Sequence, residues 1–346
     1  MRLVNLVLSA VTAWLVYVIA LSIWQKRPVA LLALVLYLIH PGLLIAEARG
    51  GFECLFILLL MVFVLVLCRI LENGQVRDFV LAGVLLGLTT LVRSTLILFP
   101  IFMFAYMVVV TKKQQRIRWA ATRAGAMALA MAVVVSPWAI RNHFLVDKFI
   151  PTGSVAGISA QAGQYICKNI SFERGFYELD LEASTERNRL AAALEYKFKA
   201  SYYQYFYSPR DELDFSSYLL SRVWQEYENS PSLWFKCAAM NLYNFWFTGK
   251  SWGVTVTNMA VQLPYLVFAV LGACSGVRRK QPTQITPLLL LIFYLFLLHV
   301  AIFAQARYSI PLVPVLSILA GMGIWRFAAG THADRDVPHG AVGHSS

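Results

Sequence analysis

Residues 45–56 read IAEARGGFECLF and set Glu47, Arg49 and Glu53 within a few positions of one another, between two long apolar runs. Carboxylates in such a place can orient a hydroxyl, accept a proton or hold a divalent cation such as Mg or Mn. Guanidinium groups bind phosphate or pyrophosphate through paired hydrogen bonds. Three more arginines stand at the edges of apolar runs: Arg93, Arg141 in SPWAIRN and Arg307 in FAQARYSIP. Glu53 and Glu47 are therefore candidate catalytic acids or bases, with Glu53 also a candidate metal ligand. Arg49, Arg93, Arg141 and Arg307 are candidates for binding the phosphate of an anionic lipid. Each has a plain alternative: a Glu in a first helical turn stabilises the helix, and an arginine at an interface snorkels to a headgroup.

The elements that position these groups follow from composition. Of 346 residues, 59% are hydrophobic and only 14% charged, where a soluble domain carries about 25% charged residues. Residues 3–24 contain no charge, and about 20 such residues span the hydrocarbon core. Similar windows lie near 28–46, 52–71, 77–93, 94–111, 118–138, 258–276, 285–304 and 308–327. These windows predict an all-α, polytopic transmembrane bundle of about nine spans; the alternation of a barrel is absent. The net charge of +12 does not imply nucleic acid. Residues 142–257 hold 11 Lys/Arg against 12 Asp/Glu, and the basic excess lies in short connections such as Lys26-Arg27, Lys112-Lys113 and Arg278-Arg279-Lys280. That is the pattern of cytosolic loops.

Placing those connections in the cytosol puts Glu47 to Glu53, Arg93, residues 139–257 and Arg307 on the other side. The chain then divides into an N-terminal transmembrane bundle (1–138), an extracytoplasmic loop domain (139–257), C-terminal transmembrane helices (258–328) and a disordered cytoplasmic tail (329–346). Within the loop, residues 185–208 suggest an amphipathic helix whose aromatic residues, Tyr196 to Tyr207, favour the headgroup layer; a globular domain with its own core is the alternative. A second helical stretch runs from Phe215 to Trp246. Cys167 and Cys237 both lie in this loop and can pair outside the cytosol. His40 and His299 are lone residues in apolar spans and read as packing residues. Gly83 and Gly87, four apart, form a small-residue face for close helix packing.

Six pieces, in order, resemble the C-type integral-membrane glycosyltransferases, the superfamily of protein O-mannosyltransferases, aminoarabinose transferases and rhizobial galacturonosyltransferase-like enzymes. They are the first 44 residues, MRLVNL to HPGLL, then GFECLF, VLAGVLLGLTTLVRSTLILFP, SPWAIRNHFLVDKFIPTGSVAG, VWQEYENSPSLWFKCAAMNLYNFW and ARYSIPLVPVLSILAG. Asp147 stands where Gly is common in that pattern, and Ser309 where Arg is common. The resemblance implies a polyprenyl-phosphate-linked sugar donor, an extracytoplasmic active face and a main catalytic carboxylate in a large first loop after a first helix. This sequence opens at the Arg that follows that loop, so Glu53 corresponds to a second acidic position. The charge pattern agrees, since nine spans with the C-terminus inside put the N-terminus outside.

The implied function is a membrane glycosyltransferase, possessing a full or N-terminally shortened chain, that moves a sugar to a lipid, glycan or protein acceptor at a bacterial inner membrane. The alternatives are a non-catalytic relative of the same fold that binds lipid-linked sugar or a partner subunit, and a transporter or flippase. Transporters carry ionisable residues near the midplane and repeated halves, neither of which is visible here.

Overall fold

The computed structural model describes residues 2–49, 51–110, 116–151, 153, 155–170, 176–199, 205–278 and 282–330. Its first group of helices is α1 (Arg2–Trp24), α2 (Arg27–Ile39), α3 (Pro41–Arg49), α4 (Glu53–Asn73), α5 (Val76–Val92), α6 (Phe99–Val110) and α7 (Arg116–Val146). A loop segment follows with α8 (Ala156–Asn169), α9 (Phe176–Ala193), α10 (Pro209–Asn229) and α11 (Pro231–Phe247). The last group is α12 (Trp252–Arg278), α13 (Pro282–Ile302) and α14 (Val313–Ala329). One antiparallel pair, β1 (Phe198–Lys199) with β2 (Tyr205–Phe206), interrupts the helices. The architecture is an all-α membrane bundle, and the chain is an integral membrane protein.

Among the described residues, six helices are long and apolar enough to cross a bilayer, or seven when α2 and α3 count as one span bent by 52°. The sequence windows suggest nine. The difference lies in α5, of 17 residues, and in the Ser94–Val110 stretch, where a short 3-10 turn precedes the 12 residues of α6. At about 1.5 Å per residue, neither reaches the roughly 30 Å of a hydrocarbon core. The α2–α3 bend falls at His40, whose extended backbone precedes Pro41, as the clash of a proline ring with its predecessor requires.

Without a hydrophobic drive between helices in lipid, close packing depends on small residues. Gly83 and Gly87 of α5 lie against Met127 and Val134 of α7, and a Cβ on either would collide with them. The same device, not picked out from the sequence, joins α12 to α14: Gly272 meets the Leu319 carbonyl and Gly323 the Phe268 carbonyl. Because backbone is the obstacle, relief requires helix separation. Gly272→Leu should lower stability by about 1–3 kcal/mol or more, read as an earlier loss of the monodisperse peak when detergent-solubilised protein is heated. A variant as heat-resistant as the parent would contradict the close approach.

The loop segment departs from the sequence expectation at 185–208. Helix α9 ends at Ala193, Glu195 takes a left-handed conformation (φ 59°), and the hairpin follows. Tyr196 and Phe206 pack on the buried Phe215 with ring centroids 5.5 Å away. These rings therefore build a small core of the loop segment; Tyr202 and Tyr203 lie outside the described residues. The Phe215 to Trp246 stretch is two helices, because Ser230-Pro231 ends α10 and opens α11. Cys167 of α8 and Cys237 of α11 form a disulfide. The segment is tied down onto the bundle: Asn241 Nδ2 donates to the Val300 carbonyl at 3.1 Å, Ala306 N–H to the Thr248 carbonyl at 3.1 Å, and Phe176 stacks on Phe303. Asp147, which closes α7 by donating to the His143 carbonyl, has φ 55°. A left-handed position explains why a Gly pattern is met there, so Asp147→Gly should be neutral or mildly stabilising in the same heating assay.

Candidate active site beneath the loop segment

Consecutive spans run in opposite directions, so α3, α5, α7 and α13 finish at the end of the bundle where α4, α12 and α14 begin. The loop segment sits at that end, and the polar residues singled out from the sequence are at the same end. Glu53 opens α4, Arg93 caps α5, and Arg307 lies in the 3-10 turn Ala306–Tyr308 before α14.

Arg93 is the centre. Its extended backbone ends α5, with its N–H on the Thr89 carbonyl at 2.9 Å. The guanidinium is half-buried and lies 5.7 Å from the Phe56 ring centroid and 5.5 Å from that of Tyr308. Among the described residues no hydrogen bond or ion pair engages it. Glu53, one turn before Phe56, supports its charge from a distance, while Arg307 opposes it. Arg307 donates to the Tyr308 hydroxyl at 3.1 Å and lies 5.0 Å from the same ring. His299 of α13 stacks on that ring from 4.7 Å. One phenol thus gathers two guanidinium groups and an imidazole.

Arg93, Tyr308 and His299 line part of a cavity of about 610 Å³ between the bundle and the loop segment. Leu298 and Ile302 of α13, Leu220, Val223 and Trp224 of α10 and Ala160 of α8 make most of its wall apolar. Arg93, His299, Tyr308 and Ser94 supply polar groups. An apolar wall with a few convergent polar groups is the usual form of a small-ligand site, and an unpaired cation in it favours an anionic ligand.

The other sequence candidates lie elsewhere on the same end. Glu47 is half-buried and accepts a hydrogen bond from Ser9, whose hydroxyl also lies 3.2 Å from that of Tyr37. That joins α1, α2 and α3 through a polar contact, and Asn5 Nδ2 adds a hydrogen bond to the Gly51 carbonyl at 3.3 Å. Glu53 is exposed. The backbone of Arg49 closes α3, and its side chain is outside the described residues. Arg141 is exposed, 4.7 Å from the Trp138 ring and donating to Asn142 Oδ1 at 3.3 Å, beside a separate groove with Leu91, Val134 and Pro137. The structure therefore gathers Arg93 and Arg307 around Tyr308 with Glu53 in electrostatic reach, and engages Glu47 and Arg141 with other partners. Among the described residues no three His, Cys, Asp or Glu side chains gather as metal ligands. Glu47 is engaged by Ser9, and Glu53, the metal ligand considered from sequence, is open to solvent.

Tyr308 and His299 were not recognised as site residues from the sequence. Tyr308 directly follows Arg307, which was a signal; His299 had none, because its neighbours Phe245 and Tyr308 belong to other elements.

Residues 1–140 match the family model of dolichyl-phosphate-mannose-protein mannosyltransferases. Over 99% of its length the chain superposes on the archaeal oligosaccharyltransferase AglB of Archaeoglobus fulgidus, in complex with an inhibitory peptide and a dolichol-phosphate, with a TM-score of 0.53 and 13% identity. The chain shares the fold of that oligosaccharyltransferase. A second structure, the same organism's oligosaccharyltransferase in the apo form, superposes over 96% of the chain with a TM-score of 0.50 and 12% identity. The chain spans 41% and 40% of the length of those two structures. No curated protein sequence matches it.

Proposed function

We propose that the chain transfers a sugar from a polyprenyl-phosphate-linked donor to a hydroxyl of a lipid, glycan or protein acceptor, at the extracytoplasmic face of a cell membrane. The observation that carries this reading is the unpaired Arg93 guanidinium in the wall of an otherwise apolar cavity. A phosphate with an isoprenoid tail answers both features: its charge satisfies Arg93 and Arg307, and its first prenyl units cover Leu298, Ile302 and Val223. The mannosyltransferase family matched by residues 1–140 is named for such a donor, and the superposed AglB holds dolichol-phosphate. The face is supported by the Cys167–Cys237 disulfide, which persists in oxidising compartments, and by the basic connections at the opposite end.

In the reaction the acceptor oxygen attacks the anomeric carbon while the bond from that carbon to the phosphate oxygen breaks. The leaving electron pair settles on the phosphate, where fixed guanidinium groups stabilise it without reorganising. Transfer with inversion follows from a single displacement. Residues 1–138 and 258–328 act as the membrane scaffold and 139–257 as the cap.

The test is transfer of radiolabelled sugar from a polyprenyl-phospho-hexose in membranes containing the full chain. Absence of transfer, together with failure to bind the unsugared polyprenyl phosphate, would overturn the reading. Glu53, exposed and acting on Arg93 only from a distance, should matter modestly. Glu53→Gln is expected to cost about fivefold or less in that assay, and a loss of many hundredfold would make Glu53 a direct participant instead.

A further inference from the structure

The loop segment contains a second, smaller cavity of about 220 Å³, lined by α8, α9 and α10. It meets the cavity over Arg93 only at Val223, which borders both. Helix α8 contributes Gln161, Gln164, Tyr165 and Lys168, whose spacing of three, four and seven residues is that of one helical face. Helix α10 brings Arg222, Val223 and Glu226 at the same spacing after Leu219, and α9 brings Glu186 with Leu190 one turn on. Three helical faces thus converge on one cleft.

The two amides of this cleft are oriented by their neighbours. Arg187 Nη1 donates to Gln161 at 2.9 Å, and a guanidinium only donates, so Oε1 faces it and the Gln161 NH2 group is left over. Gln164 donates Nε2 to the Val223 carbonyl at 3.3 Å, which leaves its Oε1. Gln164 is only 5% exposed, yet that oxygen has no partner among the described residues and is not among the polar atoms sealed from solvent. It therefore opens on the cavity. At the rim, Lys168 is paired with Glu226, while Glu186 and Arg222 have no hydrogen bond or ion pair among the described residues.

An open donor and an open acceptor one turn apart suit neighbouring hydroxyls, because a hydroxyl donates and accepts at once. The charges of the cleft balance, two of each sign, so it favours neither a polyanion nor a polycation. Leu190, Leu219, Val223 and the Tyr165 ring give the C–H face of a sugar an apolar surface. The volume falls below the roughly 300–1,000 Å³ of drug-sized sites and suits a single pyranose unit. We propose that this cleft binds one neutral sugar unit of a glycan acceptor while another unit of the same glycan occupies the cavity over Arg93. The proposal selects the glycan among the acceptors considered above, and rests on the transferase reading for that role alone.

The experiment is saturation-transfer NMR on the full chain in lipid nanodiscs, with di- and trisaccharides built from glucose, galactose, mannose and N-acetylglucosamine. At least one of these should bind the parent, and Glu186→Ala at the rim should weaken its binding by about tenfold, the scale of one lost hydrogen bond to a charged group. Gln164→Met, which keeps the volume and removes both amide atoms, should weaken it by severalfold, and Glu186→Ala still decides the matter where the floor variant fails to fold. Polyprenyl-phosphate binding should stay within about twofold in both. In the transfer assay, Glu186→Ala should raise KM for the glycan acceptor by about tenfold more than it lowers kcat, since a contact remote from the reacting bond contributes uniform binding. No saccharide bound, binding indifferent to Glu186→Ala, or an unchanged acceptor KM would each overturn the proposal and leave the transferase reading standing. Saturation of trialanine or triserine in place of the sugars would overturn it too, by making the cleft a peptide site. A parent that binds saccharide through the cleft, but neither binds polyprenyl phosphate nor transfers from polyprenyl-phospho-hexose, would uphold the sugar site and defeat the broader reading.

Discussion

Arg93→Ala should lower sugar transfer from a polyprenyl-phospho-hexose by about 10²- to 10³-fold, the usual cost of removing one fixed donor to a developing negative charge. The guanidinium has no hydrogen bond or ion pair among the described residues, so its loss leaves no partner unsatisfied. Its removal should therefore leave thermal stability unchanged or slightly raised, since a half-buried unpaired cation costs desolvation energy. That pairing of results separates two roles. An arginine kept for packing on Phe56 and Tyr308 would cost stability when removed and would leave binding of the phosphate alone. Arg93→Lys refines the point: a lysine keeps the charge but loses the planar fork, and an intermediate loss of roughly tenfold is expected. Transfer and polyprenyl-phosphate binding both at parental levels in Arg93→Ala would remove the cavity from the mechanism.

Cys167→Ser should destabilise the loop segment by about 4 kcal/mol, the chain-entropy value for a loop closed by a disulfide across a sequence separation of 70. The bond joins α8 to α11, and Ala160 of α8, Val223 and Tyr227 of α10 all belong to its small buried cluster. The cavity over Arg93 is walled on one side by these same helices. The variant should thus show a lower thermal midpoint and, at growth temperature, weaker polyprenyl-phosphate binding. Labelling provides the check on sidedness. A thiol reagent that cannot cross membranes should fail to label these positions in intact cells until they are reduced, and then label them from outside. Labelling from the cytosolic side alone would invert the topology and with it the proposed face.

Much was legible in the sequence because lipid imposes a coarse rule. A run such as residues 3–24, without a charge, has to be a helix across the bilayer, whatever its neighbours are. The basic connections and the placement of Cys167 with Cys237 in one hydrophilic loop are equally local in kind. Pairing of those two cysteines was one reading among others, and the 5.4 Å between their Cα atoms made it definite. The count of spans was less legible, because α5 and α6 are close to the minimum length and hydropathy does not mark where a 3-10 turn begins. The aromatic residues from 185 onward were ambiguous for a similar reason: rings suit a headgroup layer and a small protein core alike, and only the packing on Phe215 separates the two.

Sequence alone determined a helical membrane protein, the end of the bundle at which its acids and arginines gather, and the family it resembles, since each depends on composition, order and charge along the chain. Tertiary structure decided which of those residues meet: Arg93 with Arg307 and Tyr308, Glu47 with Ser9, and Arg141 with a separate groove beside Trp138. It also placed His299 in the cavity wall with Arg93 and Tyr308. Helix ends place a side chain at a depth, but rotation about each helix axis and the path of the loop segment determine its neighbours, and those depend on contacts between residues hundreds of positions apart.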